Sequence, residues 1–279
     1  MRALQAALAL RGQRLPVDPP SATATVGGML ALNESGPLRL SHGTPAEHVE
    51  RVAYVDSAGP GDSDGDGGRP GIAEIDGVLT SATVRLAPLP EARRWVGIAV
   101  STPLQVLNLV EEAVAQRLRP SAVEVDLPRP NGDRVVERPP GTLAALFEGD
   151  EAGVVARAER LAAAWGFGAV TTPIAPPWWG RYPFRRSEVA LRLSVPVDDL
   201  PATMYALRDA AGVPVPVRGS AALGNVHAAL PGDMSAERLE GVLDSLRHVL
   251  MARNGRAVVI SAPPELAHRV DMAARHDLC

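Results

Sequence analysis

The sequence predicts an α+β protein in which helices pack on one side of an antiparallel sheet. Three observations indicate this class. From Trp95 onward, strand-like and helix-like segments follow in the order β-α-β-β-α-β, and this order then repeats, as in two ferredoxin-like units. Residues 188–195 place an apolar side chain at every second position, as a half-buried strand does. Residues 235–253 carry an apolar stripe at helical spacing.

The elements before these units are a helix and a short strand. The N-terminal sequence MRALQAALALRGQRLP has a short, alanine-rich apolar run that Gln5 interrupts. An amphipathic helix therefore fits it better than a signal peptide. A strand is predicted at 52–55, and the acidic, glycine-rich stretch 57–71 follows it.

The first ferredoxin-like unit begins with a strand at 95–100 and a helix from Pro103, which Ser101 or Thr102 would cap. The spacing predicts a buried helix face made of Leu107, Val110, Val114 and Leu118. The unit continues with strands at 122–127 and 142–147 and a helix at 151–165.

The second unit repeats this pattern. It consists of a strand at 188–195, a helix at 199–211, strands near 213–217 and 225–229, a helix at 235–253 and a strand at 257–261. The elements predict one domain over 91–262, a separate domain over 1–90, and a C-terminal helix and tail over 263–279.

The composition excludes several kinds of site. All 28 basic residues are arginine, so Schiff-base chemistry and lysine-dependent phosphate binding are excluded. The single cysteine, Cys279, excludes disulfides, Fe–S ligation and cysteine zinc sites within this chain. A net charge of −4 without a basic stretch argues against nucleic acid as a partner. The apolar runs are too short to span a membrane, and we expect a cytoplasmic protein.

The stretch Asp62-Ser63-Asp64-Gly65-Asp66-Gly67 matches the start of an EF-hand calcium loop. Such a loop needs a bidentate Glu at its twelfth position, where this chain has Ala73, with Glu74 one residue late. We therefore interpret 57–71 as a flexible acidic Gly/Asp linker and predict no metal site.

Residues 19–39, PPSATATVGGMLALNESGPLR, resemble a motif of FAD-linked oxidases of the vanillyl-alcohol-oxidase/PCMH type, P-P-x-x-x-A-T-V-G-G-x-x-A-x-N-x-S-G. The likeness is greatest to the FAD-binding subunit of bacterial glycolate oxidase. Residues 77–90 (GVLTSATVRLAPLP) and 178–184 (WWGRYPF) are similar to two later segments of that family, in the same order.

The resemblance implies a reduced PCMH-type FAD-binding domain over 1–90 and a cap-like substrate or interaction domain over 91–262. It assigns cofactor binding to Gly27, Gly28, Asn33, Ser35, Gly36, Gly43 and Thr44. Paired glycines let backbone N–H groups approach a pyrophosphate or a flavin ring, and Asn and Ser can hold such a turn by hydrogen bonds to the backbone. These residues either still bind FAD or are relics of a former site.

The chain also departs from the family pattern. The linker replaces the segment G-G-x-x-x-K-N-x-x-G-Y-D, and neither the glycine-rich pyrophosphate loop nor the C-terminal F-D-P run has a counterpart. Residues 219–227 align with the G-H-x-G-D-G-N-x-H motif of related D-2-hydroxy-acid dehydrogenases, but Ser220 and Leu223 replace its first His and its Asp. His227 remains as the candidate catalytic residue, and a strand-end histidine with an ordinary hydrogen bond is the simpler explanation.

An aromatic and arginine cluster offers a second candidate site. Its members are Trp178, Trp179, Arg181, Tyr182, Arg185 and Arg186. Such a cluster suits a substrate-anion pocket, an interface hot spot or a solvated loop.

Three functions remain open. The favoured one is an accessory, non-catalytic subunit of a flavin-dependent oxidoreductase complex of the glycolate-oxidase type, cytoplasmic or peripheral to a membrane complex. FAD would then be held by a homologous full-length subunit, with an Fe–S subunit as a further partner. The alternative is an FAD-binding enzyme that acts on a small 2-hydroxy acid, with its flavin site completed at a subunit interface. The third is a binding protein that uses the arginine pocket.

Overall fold

The structure is a computed structural model that describes residues 1–64, 72, 75–129 and 141–268. The strands are β1 (Gln13–Arg14), β2 (Val49–Asp56), β3 (Gly59–Asp64), β4 (Gly77–Val84), β5 (Ala87–Pro88), β6 (Ala92–Val100), β7 (Ala122–Leu127), β8 (Gly141–Gly149), β9 (Val170–Thr172), β10 (Val189–Ser194), β11 (Val217–Ser220), β12 (Asn225–Leu230) and β13 (Arg256–Ser261). The helices are α1 (Arg2–Ala9), α2 (Val26–Ala31), α3 (Arg39–His42), α4 (Pro103–Ala115), α5 (Glu151–Trp165), α6 (Leu200–Ala211), α7 (Ala236–Met251) and α8 (Pro264–Ala267).

An eight-stranded antiparallel sheet, the large sheet, dominates the molecule. Its strand order is β13-β10-β12-β11-β7-β8-β6-β9. When the four strands of each unit are numbered 1 to 4 in chain order, they lie side by side in the order 4-1-3-2, which is that of a ferredoxin-like unit. The predicted pair of β-α-β-β-α-β units is therefore confirmed. The units meet edge to edge where β11 pairs with β7. A single continuous sheet therefore runs through both.

The two faces of the large sheet differ in polarity because successive side chains of a strand point to opposite faces. In β10, Val189, Leu191 and Leu193 belong to the main hydrophobic core, on the face that helices α4–α7 cover. Arg192 and Ser194 lie on the other face. That second face, the polar face, is the surface on which the site described below is built.

A capping residue starts helix α4 where the sequence predicts one. The Thr102 side chain accepts a hydrogen bond from the Gln105 backbone N–H (3.1 Å), so the cap of α4 is Thr102 rather than Ser101. The predicted inner face of this helix was wrong in part. Val114 is 67% exposed. The buried face of α4 is formed by Val106, Val110 and Ala113, so Val106 and Ala113 take the places predicted for Leu107 and Val114.

Residues 1–90, here called the N-terminal region, have their own small core. It contains Leu15, Val17, Met29, Leu30 and Val52. A three-stranded sheet in the order β3-β2-β4 and a two-stranded ribbon of β1 and β5 complete the region. Residues 264–267 form the only part of the predicted C-terminal helix that the structure describes, and 269–279 lie outside the described residues.

The linker prediction was wrong for its first half. Residues 59–64 form strand β3, which pairs with β2 through a tight turn in which the Asp56 carboxylate accepts a hydrogen bond from the Ala58 N–H (2.7 Å). Gly and Pro are tolerated because β3 is an edge strand, and Arg51 of β2 pairs with Asp62 across the hairpin. Residues 65–71 lie outside the described residues.

A buried ion pair fixes the N-terminal region to the large sheet. The Arg14 guanidinium donates to both carboxylate oxygens of Glu148 in β8, at 2.7 and 2.9 Å. Both side chains are less than a tenth exposed, and Arg93 adds a third hydrogen bond at 2.9 Å. The bidentate geometry holds β1 in one orientation against the sheet.

Candidate functional site

A cavity of about 290 Å³ lies between the N-terminal region and the polar face of the large sheet. This volume is near the lower end of small-molecule sites, which span roughly 300–1,000 Å³. Its walls are formed by residues 20–21, 32, 34–37 and 39 of the N-terminal region, by 180–182 and 184 of the β9–β10 connection, and by Glu124, Arg192, 218–220, 223, 225, His227, 260 and 261 of the large-sheet region.

Two rows of polar side chains cross neighbouring strands beneath the cavity, and all of them except Asp126 and Ser194 line it. One row runs Glu124, Ser220, Asn225 and Ser194 through β7, β11, β12 and β10. The next row runs Asp126, Arg218, His227 and Arg192 through the same strands. Directly opposite side chains in antiparallel strands are about 5 Å apart, so each row is a continuous polar strip.

Four arginines give the cavity walls a positive character: Arg39, Arg181, Arg192 and Arg218. Arg218 is neutralised by Asp126 at 2.8 Å, and its Nη1 donates to the carbonyl of Tyr182 at 3.1 Å. Among the described residues, neither Arg39 nor Arg181 forms an ion pair. These two side chains are therefore available to an anion.

Glu124 is the unusual acid of the site. It is 5% exposed, and its Oε1 makes no hydrogen bond within the described part of the chain. Burial, reinforced by the charge of Asp18, raises the pKa of Glu124 well above its ordinary value, and the nearby Ser220 hydroxyl counteracts part of this rise. This shift favours the protonated form of Glu124, which can donate a hydrogen bond.

Tyr182 links the two sides of the cavity. Its hydroxyl donates to the Glu34 carboxylate at 2.7 Å, and its ring stacks on Phe184 with centroids 4.6 Å apart. Burial and the charge of Glu34 raise the pKa of Tyr182, so the phenol keeps its proton. The edge of the ring also meets His227 at a centroid distance of 4.8 Å.

His227 is uncharged in this setting. Burial and the positive charge of Arg192 lower the pKa of His227 to about 3. Within the described ranges, no three His, Cys, Asp or Glu side chains form a group that could hold a metal ion. None of the described helices is long and apolar enough to cross a membrane.

Comparisons with known proteins bear on both halves of this cavity. Residues 1–60 match the family model described as an FAD binding domain. The fold resembles two solved structures of alkyldihydroxyacetonephosphate synthase, in crystal forms P212121 and P1, with TM-scores of 0.69 and 0.66. Each similarity covers 91% of this chain and 58% of the other, at 16% identity, and at that identity it shows the fold alone. The sequence matched no curated protein.

The FAD-binding-domain match contains all the residues to which the sequence analysis assigned cofactor binding, and the structure separates them into two sets. Ser35 and Gly36 line the cavity, whereas Gly27 and Gly28 lie in α2, away from it. The Gly28 N–H is already donated to the Thr25 hydroxyl at 3.1 Å. Gly27 faces open space, with no neighbouring atom within 4 Å of where a Cβ would be. Direct FAD binding by any of them stays a prediction.

Asn33 and Ser35 hold a turn by hydrogen bonds to the backbone, but this turn follows α2 and does not contain the paired glycines, which are helical. Asn33 has a left-handed φ of 45°, and its Oδ1 accepts from the Ala46 N–H at 3.1 Å. The Ser35 hydroxyl donates to the Asn33 carbonyl at 3.2 Å. Gly43, with a φ of 81°, and Thr44 continue the chain into a short 3₁₀ helix at Pro45–His48 and do not line the cavity.

The described residues do not fit a whole FAD molecule. The cavity can hold a ring system or a substrate, and its glycine-bearing segment, around Gly36, is packed against Asp18 rather than open to a pyrophosphate. The neighbouring α2 has only six residues, Val26–Ala31, and the separate Gly27–Gly28 pair lies in its first turn. We therefore derive no chemical step through FAD on this chain.

The arginine and tryptophan cluster is also divided by the structure. Arg181 and Tyr182 line the cavity, while Arg185 and Arg186 are exposed outside it. Trp179 packs edge-on against Trp95, with centroids 6.0 Å apart, and Trp178 lies beneath the Arg218 guanidinium. The arginines that line the cavity are thus mostly residues that the sequence analysis did not select. Their positions on β10, β11 and α3 become neighbours only through long-range strand pairing.

Proposed function

We propose that this chain is an accessory, non-catalytic subunit of a flavin-dependent oxidoreductase complex of the glycolate-oxidase type. It would pair with a homologous full-length subunit that holds the FAD, and an Fe–S subunit would be a further partner. One observation carries the proposal. The segment that resembles FAD-linked oxidases forms a cavity wall at Ser35 and Gly36, yet the described residues offer no place for a whole FAD.

The state of the ionisable groups supports a non-catalytic role. His227 is half-buried with a pKa lowered to about 3, and the Tyr182 hydroxyl is committed to Glu34. A general base needs a pKa near the working pH and access to the substrate proton. Neither group meets both conditions, so this chain would shape the substrate entrance while the partner performs the chemistry.

Exposed apolar side chains of the N-terminal region support a partner surface. Leu10 is 90% exposed, Val78 is 71% exposed and Leu32 is 63% exposed. Larger apolar patches on a protein surface commonly mark contacts with other proteins. We propose that the full-length FAD subunit covers these exposed side chains.

The test is the flavin content of the chain, purified alone and after co-expression with a full-length FAD subunit of this type. We expect a colourless chain alone and one FAD per heteromer after co-purification, measured by absorbance and acid-released FAD. Val78→Glu should abolish co-purification, while Val114→Glu on the exposed side of α4 should leave it unchanged. A chain that stays alone and colourless in every combination would contradict the proposal.

A second function is favoured by the position of Ser35 and Gly36 beside Arg39 and Arg181. In this case the chain would bind FAD itself, complete the site at a subunit interface, and oxidise a small 2-hydroxy acid. The same experiment separates the two functions, because a yellow lone chain with one FAD per chain would exclude the accessory role.

A further inference from the structure

Glu124 and Ser220 face each other across the junction of β7 and β11, on the floor of the cavity. They are only 5% and 7% exposed. Glu124 Oε1 and Ser220 Oγ have no hydrogen-bond partner among residues 1–64, 72, 75–129 and 141–268. A buried polar atom without a partner is energetically unfavourable, because it has lost its hydrogen bonds to water. Two such atoms side by side on a cavity wall indicate a position that a ligand completes.

Four neighbours on the same face do have hydrogen-bond partners. In the adjacent row, Arg218 and Asp126 satisfy each other at 2.8 Å. In the same row, the Ser194 hydroxyl donates to Asn225 Oδ1 at 2.6 Å. Glu124 and Ser220 differ from these four residues in having buried side-chain atoms to which a ligand can bind.

The groups around this pair select an anion that carries oxygen acceptors. Ser220 offers a hydroxyl donor, and a protonated Glu124 offers an acid O–H. Arg39 and Arg181 line the same cavity, and neither has an ion-pair partner within the described ranges. Donors of this kind match a carboxylate, which arginine binds through charge-assisted hydrogen bonds.

The rest of the wall is apolar and leaves room for more than two carbons. Tyr182 and Phe184 form a stacked pair at 4.6 Å, and Leu223 and Ile260 line the same space. The cavity volume of about 290 Å³ exceeds what a two-carbon acid fills. A ligand that buries an apolar body here gains about 25 cal/mol for each Å² of apolar surface removed from water.

We propose that the cavity binds an organic monocarboxylate with an apolar body, whose carboxylate oxygens accept hydrogen bonds from Glu124 and Ser220 and whose body lies against Tyr182 and Phe184. The inference deepens the proposed function, since it names the ligand class of the same cavity. Glu124 is then a specificity-determining residue that selects ligands with an acceptor oxygen at the sheet.

The experiment is calorimetric titration of the purified full chain with phenylacetate, acetate and inorganic phosphate as probes. We expect phenylacetate to bind at least about tenfold more tightly than acetate or phosphate. Glu124→Ala should weaken phenylacetate binding by about tenfold or more, because it removes a hydrogen bond to a charged group. Glu124→Gln keeps an N–H donor at almost the same shape and should stay within about threefold of the wild type.

Two further variants complete the design. Glu111→Ala removes an exposed carboxylate on α4 and should bind phenylacetate as the wild type does. Ser220→Ala should weaken binding by several-fold and supplies an independent test if Glu124→Ala fails to fold. Unchanged binding by both Glu124→Ala and Ser220→Ala, a preference for phosphate, equal binding of acetate, or no binding of any probe would overturn the proposal.

The titration is independent of flavin counting. A chain that never co-purifies with a flavoprotein can still bind phenylacetate, and a chain with a yellow partner can fail to bind it. The two failures are therefore distinguishable.

Discussion

The backbone at Gly36 passes directly against Asp18: a Cβ on Gly36 would overlap the Asp18 main-chain oxygen and lie 2.7 Å from its carboxylate Oδ1. The same carboxylate accepts a hydrogen bond from the Leu38 N–H at 3.0 Å. Asp18 thus holds the segment that carries Ser35 and Gly36 in place from beneath. The wall of the cavity has its shape because this approach is possible only for glycine.

This contact predicts opposite effects for two glycines. Gly36→Ala should lower the free energy of unfolding by about 1–3 kcal/mol, because the new methyl group has to displace the Asp18 backbone. Gly27→Ala should be neutral or stabilising by up to about 1 kcal/mol, because the site is helical and open. Urea denaturation measures both, and a Gly36→Ala variant as stable as Gly27→Ala would contradict the described packing.

Asp18 predicts a pH dependence of stability. Burial, opposed by the hydrogen bond from Leu38 and reinforced by the charge of Glu148, raises the pKa of Asp18 from 3.8 to about 7. Because the folded pKa lies above the unfolded one, the protonated acid favours folding, and this contribution is lost as pH rises from about 4 through about 7. Asp18 is only partly buried by surface area, so solvent weakens this effect. We therefore expect the free energy of unfolding to fall by about 1 kcal/mol over this pH range.

Asp18→Asn removes the ionisation and keeps an oxygen acceptor for Leu38. Its stability relative to the wild type should therefore improve between about pH 5 and pH 8, as measured by urea denaturation at both values. Stability curves that run parallel across this range would show that Asp18 ionises normally.

The ion pair between Arg14 and Glu148 predicts a large loss for a single truncation. Arg14→Ala should destabilise the protein by about 3–5 kcal/mol, because it leaves the buried Glu148 carboxylate without its bidentate partner. Arg247→Ala breaks an exposed pair with Asp244 and should cost about 0–1 kcal/mol. Similar midpoints for the two variants in guanidinium denaturation would refute a special role for Arg14.

The hydrogen bond from Tyr182 to Glu34 predicts a smaller effect. Tyr182→Phe keeps the stack on Phe184 and removes the hydroxyl, so we expect a loss of about 1–3 kcal/mol. Tyr205→Phe is the matched control, since its ring is half-buried and lies under Arg208, and it should change stability by less than about 0.5 kcal/mol. Thermal unfolding of both variants measures the effect. Equal changes in the unfolding midpoint would argue against a stabilising hydrogen bond between Tyr182 and Glu34 across the cavity.

Periodicity made most of the large sheet and its helices predictable. Strand β10 and helix α7 carry strong apolar patterns, and both were placed within two residues of their observed ends. The strand predicted near 213–217 lies at 217–220 instead. Arg218 and Ser220 of this strand are polar because they line the cavity, so the strand lacks the apolar alternation by which strands are recognised in a sequence.

The same reason explains the missed site residues. Glu124 stands in the apolar run AVEVDL, where it is the signal that one strand face is polar. Its partner Ser220 is 96 residues further along the chain and becomes a neighbour only through the pairing of β7 with β11. A single sequence carries no record of that register, whereas the turn around Asn33 and Ser35 is local and was predictable.

The pairing of β7 with β11 protects two strand edges from pairing with other chains. A ferredoxin-like unit by itself has two open strand edges, and open edges recruit other chains into intermolecular sheets. Here each unit shields one edge of the other, which leaves the short β9 and β13 at the ends of the large sheet. Separation of the two units would expose both inner edges, β7 and β11, together, so each half depends on the other to keep its edge from recruiting another chain.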